Sequence, residues 1–125
     1  MDILENKTFD ELKIGDTARI SRTLGERDIA LFAAVSGDVN PAHLDPAFAE
    51  TTRFHHVVAH GMWGGALISA VLGTELPGPG TVYVRQSLDF LRPAKPGDVL
   101  SVNVTVREKR AEGRRVAFAV EHHPA

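Results

Sequence analysis

Apolar and polar residues alternate along four stretches of the chain, at the two-residue period that is typical of half-buried β-strands. In the third stretch, for example, valines occupy every second position and Ser, Asn and Thr fill the positions between them. Residues 110–113 join the last two stretches as a hairpin connection. The predicted strands are residues 17–23, 81–91, 100–109 and 115–121.

A first helix is predicted directly after the first strand. Thr23 and Glu26 have the spacing of a capping box, so Thr23 is the predicted N-cap. Apolar residues at helical spacing continue to about Val35, and Gly37 is the predicted stop. This helix leads the chain directly into the stretch that carries the candidate chemistry.

A long buried helix is predicted from Gly61 to about residue 73, after a short helix that Asp45 caps and Pro46 opens. The long helix carries small residues at intervals of four: Gly61, Gly65, Ser69 and Gly73. Such a row lets a helix lie close to a sheet, although each interior glycine costs about 1 kcal/mol of helix propensity.

Helical segments come before most of the strands, and the last strands follow one another directly. This order predicts an α+β fold with helix on one face of an antiparallel sheet. A chain of 125 residues is in the usual size range for one hydrophobic core. Residues 1–125 are therefore expected to form a single domain.

Composition excludes several classes of function. The net charge of −2 favours neither nucleic acid nor an anionic membrane as a partner. The absence of cysteine excludes disulfides, thiolate catalysis and the common structural zinc sites. The first residues do not resemble a secretory signal, and no run reaches the roughly 18 apolar residues of a membrane span. A cytoplasmic protein is expected.

The candidate chemistry lies in residues 36–45, where Asp38 and His43 are five residues apart. Gly37, Asn40 and Pro41 predict a stiff, non-helical turn between the two. Two titratable groups held rigidly beside one space are what general acid–base catalysis requires. An Asx-turn aspartate beside a surface histidine explains the same spacing, so this alternative stays open here.

Residues 37–45 read Gly-Asp-Val-Asn-Pro-Ala-His-Leu-Asp and resemble the signature G-D-x-N-P-x-H-x-D of the MaoC-like, (R)-specific enoyl-CoA hydratases. Residues 59–62, 86–90, 92–93 and 97–98 also resemble that family, so that the likeness extends from about residue 8 to about 120. The resemblance implies a hot-dog fold, in which a curved antiparallel sheet wraps around one long helix, and a homodimer or dimer of dimers. Family members continue with one further strand, whereas this sequence stops at Ala125. Without that strand a sheet edge would stay unpaired.

The reaction that the resemblance implies is reversible addition of water to a trans-2-enoyl thioester. Asp38 would be the base and His43 the second acid–base group, and the backbone N–H of Gly61 would bind the thioester oxygen. Three further residues would lie near the substrate, and each also has a purely structural explanation in the turn, the helix or a strand: Asn40, Ser69 and Gln86.

No bound cofactor is implied, because coenzyme A or an acyl carrier would arrive as part of the substrate. Arg85, Arg92 or Lys95 could meet the coenzyme A phosphates. His56 and His60 have the spacing of a metal-ligand pair, but no carboxylate cluster accompanies them, and no metal is predicted. His60 is expected to pack and hydrogen-bond at the start of the long helix.

Two competing functions remain from the sequence. A hot-dog thioesterase would hydrolyse the thioester instead of hydrating the alkene, and the Asn-Pro between Asp38 and His43 favours the hydratase. A non-catalytic acyl-thioester-binding domain of a larger protein is the other alternative, against which the intact Asp38 and His43 argue.

Overall fold

The computed structural model describes residues 5–124. In chain order the main elements are strand β1, helices α1 to α4 and strands β2 and β3, and a single 3₁₀ turn at Glu112–Arg114 joins the last two strands. Their bounds are β1 Thr17–Thr23, α1 Glu26–Ser36, α2 Pro41–Leu44, α3 Pro46–Glu50, α4 Gly61–Thr74, β2 Val99–Arg110 and β3 Arg115–Pro124.

The three strands form one antiparallel sheet in the order β1-β2-β3. Val104 at the centre of β2 lies opposite Ala18 of β1 and Val120 of β3. The predicted α+β class is confirmed, as are three of the four predicted strands and the hairpin between the last two.

The core lies between α4 and the sheet. The α4 side chains that face the sheet are large and apolar, and they meet the valines on one face of β2. The buried residues of this contact are Trp63, Leu67, Ile68, Val71, Leu72, Val102, Val104 and Val106. The predicted long helix is therefore confirmed, with its C-terminal end at Thr74.

The small residues of α4 permit close contacts at several points. A Cβ atom at Gly61 would lie 2.8 Å from the ring of Phe90, and one at Gly65 would lie 3.5 Å from Leu88 Cδ1. At Gly73 no atom lies within 4 Å of the equivalent position, so packing does not require that glycine. The helix is not buried all round, since Met62, Ala66, Ser69 and Ala70 are exposed.

The strand predicted over residues 81–91 is wrong, because the structure has an irregular segment there without ladder hydrogen bonds. Val82, Val84 and Phe90 of this segment are exposed. Alternation of apolar and polar side chains is not sufficient for a strand, because the backbone must also form hydrogen bonds with a neighbouring strand. Within residues 5–124, β3 pairs with β2 alone, and a cavity of about 1750 Å³ lies between β3, α4 and the segment.

The predicted capping of α1 by Thr23 is also wrong. The N-cap is Gly25, whose N–H donates to the Asp28 carboxylate at 2.8 Å. The reason lies in Leu24, because its N–H donates to Asp98 O and its carbonyl accepts from Gly97 N–H, each at 2.8 Å. These two bonds keep Leu24 extended after β1, so the helix starts later.

None of the helices in the described part of the chain is both long enough and apolar enough to cross a membrane.

Because of the core beneath α4, we expect two isoleucine-to-alanine substitutions to differ greatly in their effect on the free energy of unfolding. Ile68→Ala should lower the free energy of unfolding by about 2–5 kcal/mol, because Ile68 is buried in that core. Ile14→Ala should change it by less than about 0.5 kcal/mol, because Ile14 is 61% exposed. Urea unfolding followed by fluorescence of the single tryptophan, Trp63, measures both. Equal losses in the two variants would contradict the assignment of the core.

Candidate active site

Helix α1 ends at the first residues of the site. Gly37 has φ 78°, a left-handed conformation that glycine adopts without steric cost, and the chain turns there. Ser36 Oγ then accepts from Asp38 N–H at 3.1 Å, and Asp38 Oδ1 accepts from Asn40 N–H at 3.2 Å. Asp38 is thus fixed in an Asx turn, with its side chain exposed to solvent.

The turn that follows is not fully irregular. Residues 41–44 form the one-turn helix α2, which Asn40 caps by accepting from Ala42 N–H at 3.0 Å. Pro41 stands at the first helical position, where its fixed φ and missing N–H are tolerated. The prediction of a non-helical stretch is therefore wrong for these four residues, and Asn40 acts as a helix cap.

His43 lies on α2 and is half-buried, unlike the surface histidine of the alternative interpretation. Its Nδ1 lies 2.7 Å from the carbonyl oxygen of Val58. A carbonyl only accepts, so Nδ1–H donates this bond and Nε2 of the neutral ring carries the lone pair. Nε2 is thereby the nitrogen of His43 that is left for chemistry.

His60 lies beside both residues. It is 4% exposed, its Nε2–H donates to the backbone carbonyl of Asp38 at 2.9 Å, and its ring stacks on that of His43 with centroids 4.0 Å apart. The prediction that His60 packs and hydrogen-bonds at the start of the long helix is confirmed. Sequence reasoning missed its partners, because a separation of 22 residues from Asp38 leaves no local pattern.

One potential ligand atom each from Asp38, His43 and His60 lies within 4.8 Å of the others. The fold therefore brings Asp38 and His43 together, as the turn predicted. A carboxylate and two imidazoles also form a donor set that suits transition metals. In each ring, however, one nitrogen already donates to a backbone carbonyl, so one nitrogen per ring remains.

His56 and His60, whose spacing is that of a metal-ligand pair, are not brought together as ligands. His56 is exposed, and its Nδ1 lies 3.1 Å from Val57 O. The expectation that no metal is bound stays a prediction.

Gly61 opens α4 next to His60. The His60 side chain makes no capping bond to the helix, and within residues 5–124 no acceptor lies opposite the Gly61 N–H. First-turn N–H groups lack intrahelical partners and carry the positive end of the helix dipole. The large cavity reaches Gly61 and His60, whereas Asp38 and His43 are outside its lining.

Ser69 and Gln86 lie on other segments of the chain than the Asp38–His43 pair. Ser69 is exposed on α4, eight residues after Gly61, which is about 12 Å along a helix axis. Gln86 lines the cavity and accepts from the Tyr83 hydroxyl at 2.6 Å. Burial raises the pKa of that hydroxyl, so it stays a donor at neutral pH. Tyr83 was missed in the sequence, where no motif marks it.

Arg85 and Arg92 line the same cavity as Gln86, but Lys95 does not. Two of the three candidate phosphate contacts are therefore on the side of the molecule that Gly61 faces.

The sequence matches the family described as "MaoC like domain" over residues 11–123. It is 47% identical over 110 residues to an (R)-specific enoyl-CoA hydratase of Rhodospirillum rubrum, covering 88% of this chain and 76% of that relative. A 3-hydroxybutyryl-CoA dehydratase of Methylorubrum extorquens is 44% identical over 111 residues, which cover 89% of this chain and 71% of that relative.

The structure also superposes on a solved hydratase. The unliganded R-hydratase PhaJ1 from Pseudomonas aeruginosa matches with a TM-score of 0.90 and 50% identity, over 97% of this chain and 77% of that one. The predicted hot-dog fold is confirmed by this likeness.

The geometry predicts opposite tautomers for the two stacked histidines. At neutral pH, His43 should carry its proton on Nδ1 and His60 on Nε2, because each of these nitrogens faces a carbonyl oxygen. Imidazole ¹⁵N NMR distinguishes the tautomers, and single substitutions of each histidine assign the signals. A His43 ring protonated on Nε2 alone would contradict the site geometry.

Proposed function

The chain belongs to the MaoC-like family, and we propose that within it this protein is an (R)-specific enoyl-CoA hydratase. It would add water reversibly to a trans-2-enoyl thioester and give the (R)-3-hydroxyacyl thioester. The observation that carries the proposal is the pair Asp38 and His43, of which a carboxylate oxygen and a ring nitrogen lie within 4.8 Å of each other. Residues 1–125 would act as one domain.

Asp38 and His43 would share the proton transfers of this reaction. As the water oxygen bonds to C3, the pair takes one proton from that water, and it delivers one proton to C2. The pair is therefore regenerated in each turnover. Asn40 N–H holds one carboxylate oxygen of Asp38, which leaves the other free for the water. Both proton transfers are therefore assigned to the pair and not to one of its members.

Gly61 would stabilise the charge that develops on the thioester oxygen as water adds. Its N–H has no acceptor among residues 5–124, and glycine lets a ligand approach the backbone without a Cβ in the way. A fixed donor helps the transition state more than the ground state, because charge accumulates on the oxygen during the reaction.

The remaining candidate residues would hold the turn or contact the substrate, and they would take no part in proton transfer. Asn40 would hold the turn that carries Asp38, and Ser69 and Gln86 would border the acyl chain. Arg85 and Arg92 line the cavity, and they would meet the phosphates of coenzyme A or an acidic acyl carrier. The group that carries the thioester is thus part of the substrate, and no bound cofactor is proposed.

We further propose a homodimer or a dimer of dimers. Several large apolar side chains on α1, on the turn of residues 37–40 and on α4 are exposed in the single chain. Val35, for example, is 88% exposed. In an assembly, a second copy of the chain would cover such side chains where they lie together on the surface. The exposed residues are Leu31, Val35, Val39 and Met62.

A single assay on crotonyl-CoA separates this function from its two competitors. Loss of the enoyl absorbance without release of free thiol identifies a hydratase. Release of thiol would identify a thioesterase and overturn the proposal, and so would the absence of both signals, which fits a binding domain. Chiral analysis of the product should give the (R) alcohol.

Substitution of the pair should remove most of the turnover. Asp38→Asn and His43→Ala are each expected to lower kcat by at least about 10²-fold, the usual scale for a positioned acid–base group. The double variant should lose much less than the product of the two single losses, because both groups serve one step. Initial rates on crotonyl-CoA measure these effects.

Asp45→Asn is the matched control for Asp38→Asn. Asp45 lies in the same region but caps α3 through Ala47 N–H, a bond that asparagine also makes. Its kcat should stay within a few-fold of wild type. An Asp38→Asn variant that was as active as this control would remove Asp38 from the mechanism.

The role of Gly61 is tested by a crystal complex with a 3-hydroxyacyl-CoA. The thioester oxygen should lie within about 3.2 Å of the Gly61 nitrogen. The rival explanation is that Gly61 merely leaves room for the Phe90 ring. A thioester oxygen that pointed away from the start of α4, with Asp38 and His43 still beside C2 and C3, would favour that rival and leave the hydratase intact.

A further inference from the structure

We propose that His60 is a positioning residue that holds Asp38 and His43 in their catalytic arrangement. The proposal rests on the proposed hydratase function. It follows from three properties of the His60 side chain, namely its place in a stack of rings, its hydrogen bond, and its burial.

The His60 ring contacts one ring from each of two other elements. Its centroid lies 4.0 Å from that of His43 on α2, with the two rings stacked at 28°, and 4.9 Å from that of Phe32 on α1, with the two rings tilted at 46°. His60 itself is the N-cap residue of α4. The stack therefore sets the distance between α2, which carries His43, and the start of the central helix.

The hydrogen bond of His60 fixes the other member of the pair. Among residues 5–124, Nε2–H of His60 is the only donor to the backbone carbonyl of Asp38, at 2.9 Å. Asp38 lies in an exposed turn of residues 37–40, whose other backbone hydrogen bonds are all local. They include Gly37 N–H to Ala33 O on α1 and His43 N–H to Asn40 O at the start of α2. His60 is thus the point at which this turn is attached to the core.

The other ring nitrogen of His60, Nδ1, supports the interpretation that the imidazole matters for its Nε2–H donor. Nδ1 is buried and has no hydrogen-bond partner in the described structure. A buried polar atom without a partner is unfavourable, and a phenylalanine would fill the same stack without that penalty. The donor to Asp38 is the one property that the imidazole adds to an apolar ring.

One side chain therefore contacts both members of the pair, one through its backbone and the other through its ring. Displacement of a reacting group by about 1 Å costs as much as about 10²-fold in rate, so loss of this contact should reduce turnover more than substrate binding.

His60→Phe tests the inference because it keeps an aromatic ring in the stack and removes the donor. We expect kcat on crotonyl-CoA to fall by about 10- to 100-fold while KM stays within about threefold of wild type. In the His43→Ala background the same substitution should lower kcat by less than about threefold, because the arrangement that it maintains is already broken. Equal losses in both backgrounds would overturn the proposal.

His122→Phe is the matched control. Nε2–H of His122 also donates to a backbone carbonyl, that of Gly64 on α4, at 2.9 Å, but His122 is not part of the Asp38–His43 group. Its kcat should stay near that of wild type. A loss of kcat as large as that of His60→Phe would mean that any lost histidine–carbonyl bond harms the fold, and the positioning role would be wrong.

A crystal structure of His60→Phe provides a readout that needs no activity. The Asp38 carboxylate and the His43 ring should lie farther apart than the 4.8 Å limit of the wild-type chain. An unchanged pair would overturn the inference. If wild type hydrates no enoyl-CoA, the proposed function has failed, and this structure alone decides the positioning role.

A metal-ligand role for His60 makes a different prediction. Loss of wild-type activity on dialysis against EDTA, with recovery on addition of Zn²⁺, would identify Asp38, His43 and His60 as ligands and would overturn the positioning role. Activity that EDTA leaves unchanged supports it.

Discussion

The contact between α4 and the sheet determines where the site lies. Trp63, Leu67 and Val71 bury their side chains against the valines of β2, and each such burial stabilises the fold by about 1.5–3 kcal/mol. Because this face fixes the helix along its length, its first residue is fixed as well. His60 and Gly61 therefore stand at a defined point, and the turn with Asp38 and the helix with His43 are assembled against them.

The parts of the fold that could be predicted from sequence are those whose cause is local. Strand β1, the hairpin of β2 and β3, and α4 follow from the periods of their apolar residues, and the structure has them within a few residues of the predicted bounds. The closeness of Asp38 and His43 was also predictable, since a glycine, an asparagine and a proline restrict the few residues around them.

Two of the errors concern partners that are distant in sequence, whereas the one-turn helix α2 at residues 41–44 was missed although Asn40 and Pro41 mark its start locally. Residues 81–91 have the pattern of a strand, but a strand also needs a neighbouring backbone, which pattern does not report. Thr23 has the spacing of a cap, yet pairing of Leu24 with Gly97 and Asp98 moved the helix start. The ring contacts of His60 with Phe32 and His43 involve three elements, so no local window of the sequence contains them.

The start of α4 has a thermodynamic consequence for the free protein. An N-cap side chain usually contributes about 1 kcal/mol to a helix, and His60 gives up that bond because its ring is turned toward Asp38. A thioester oxygen on the Gly61 N–H would supply the missing acceptor, so that the substrate itself would complete the helix. Substrate binding and folding would then be linked, so that the protein without substrate would be the less stable form. That form would be degraded more rapidly, and the lifetime of the protein would rise with the supply of substrate.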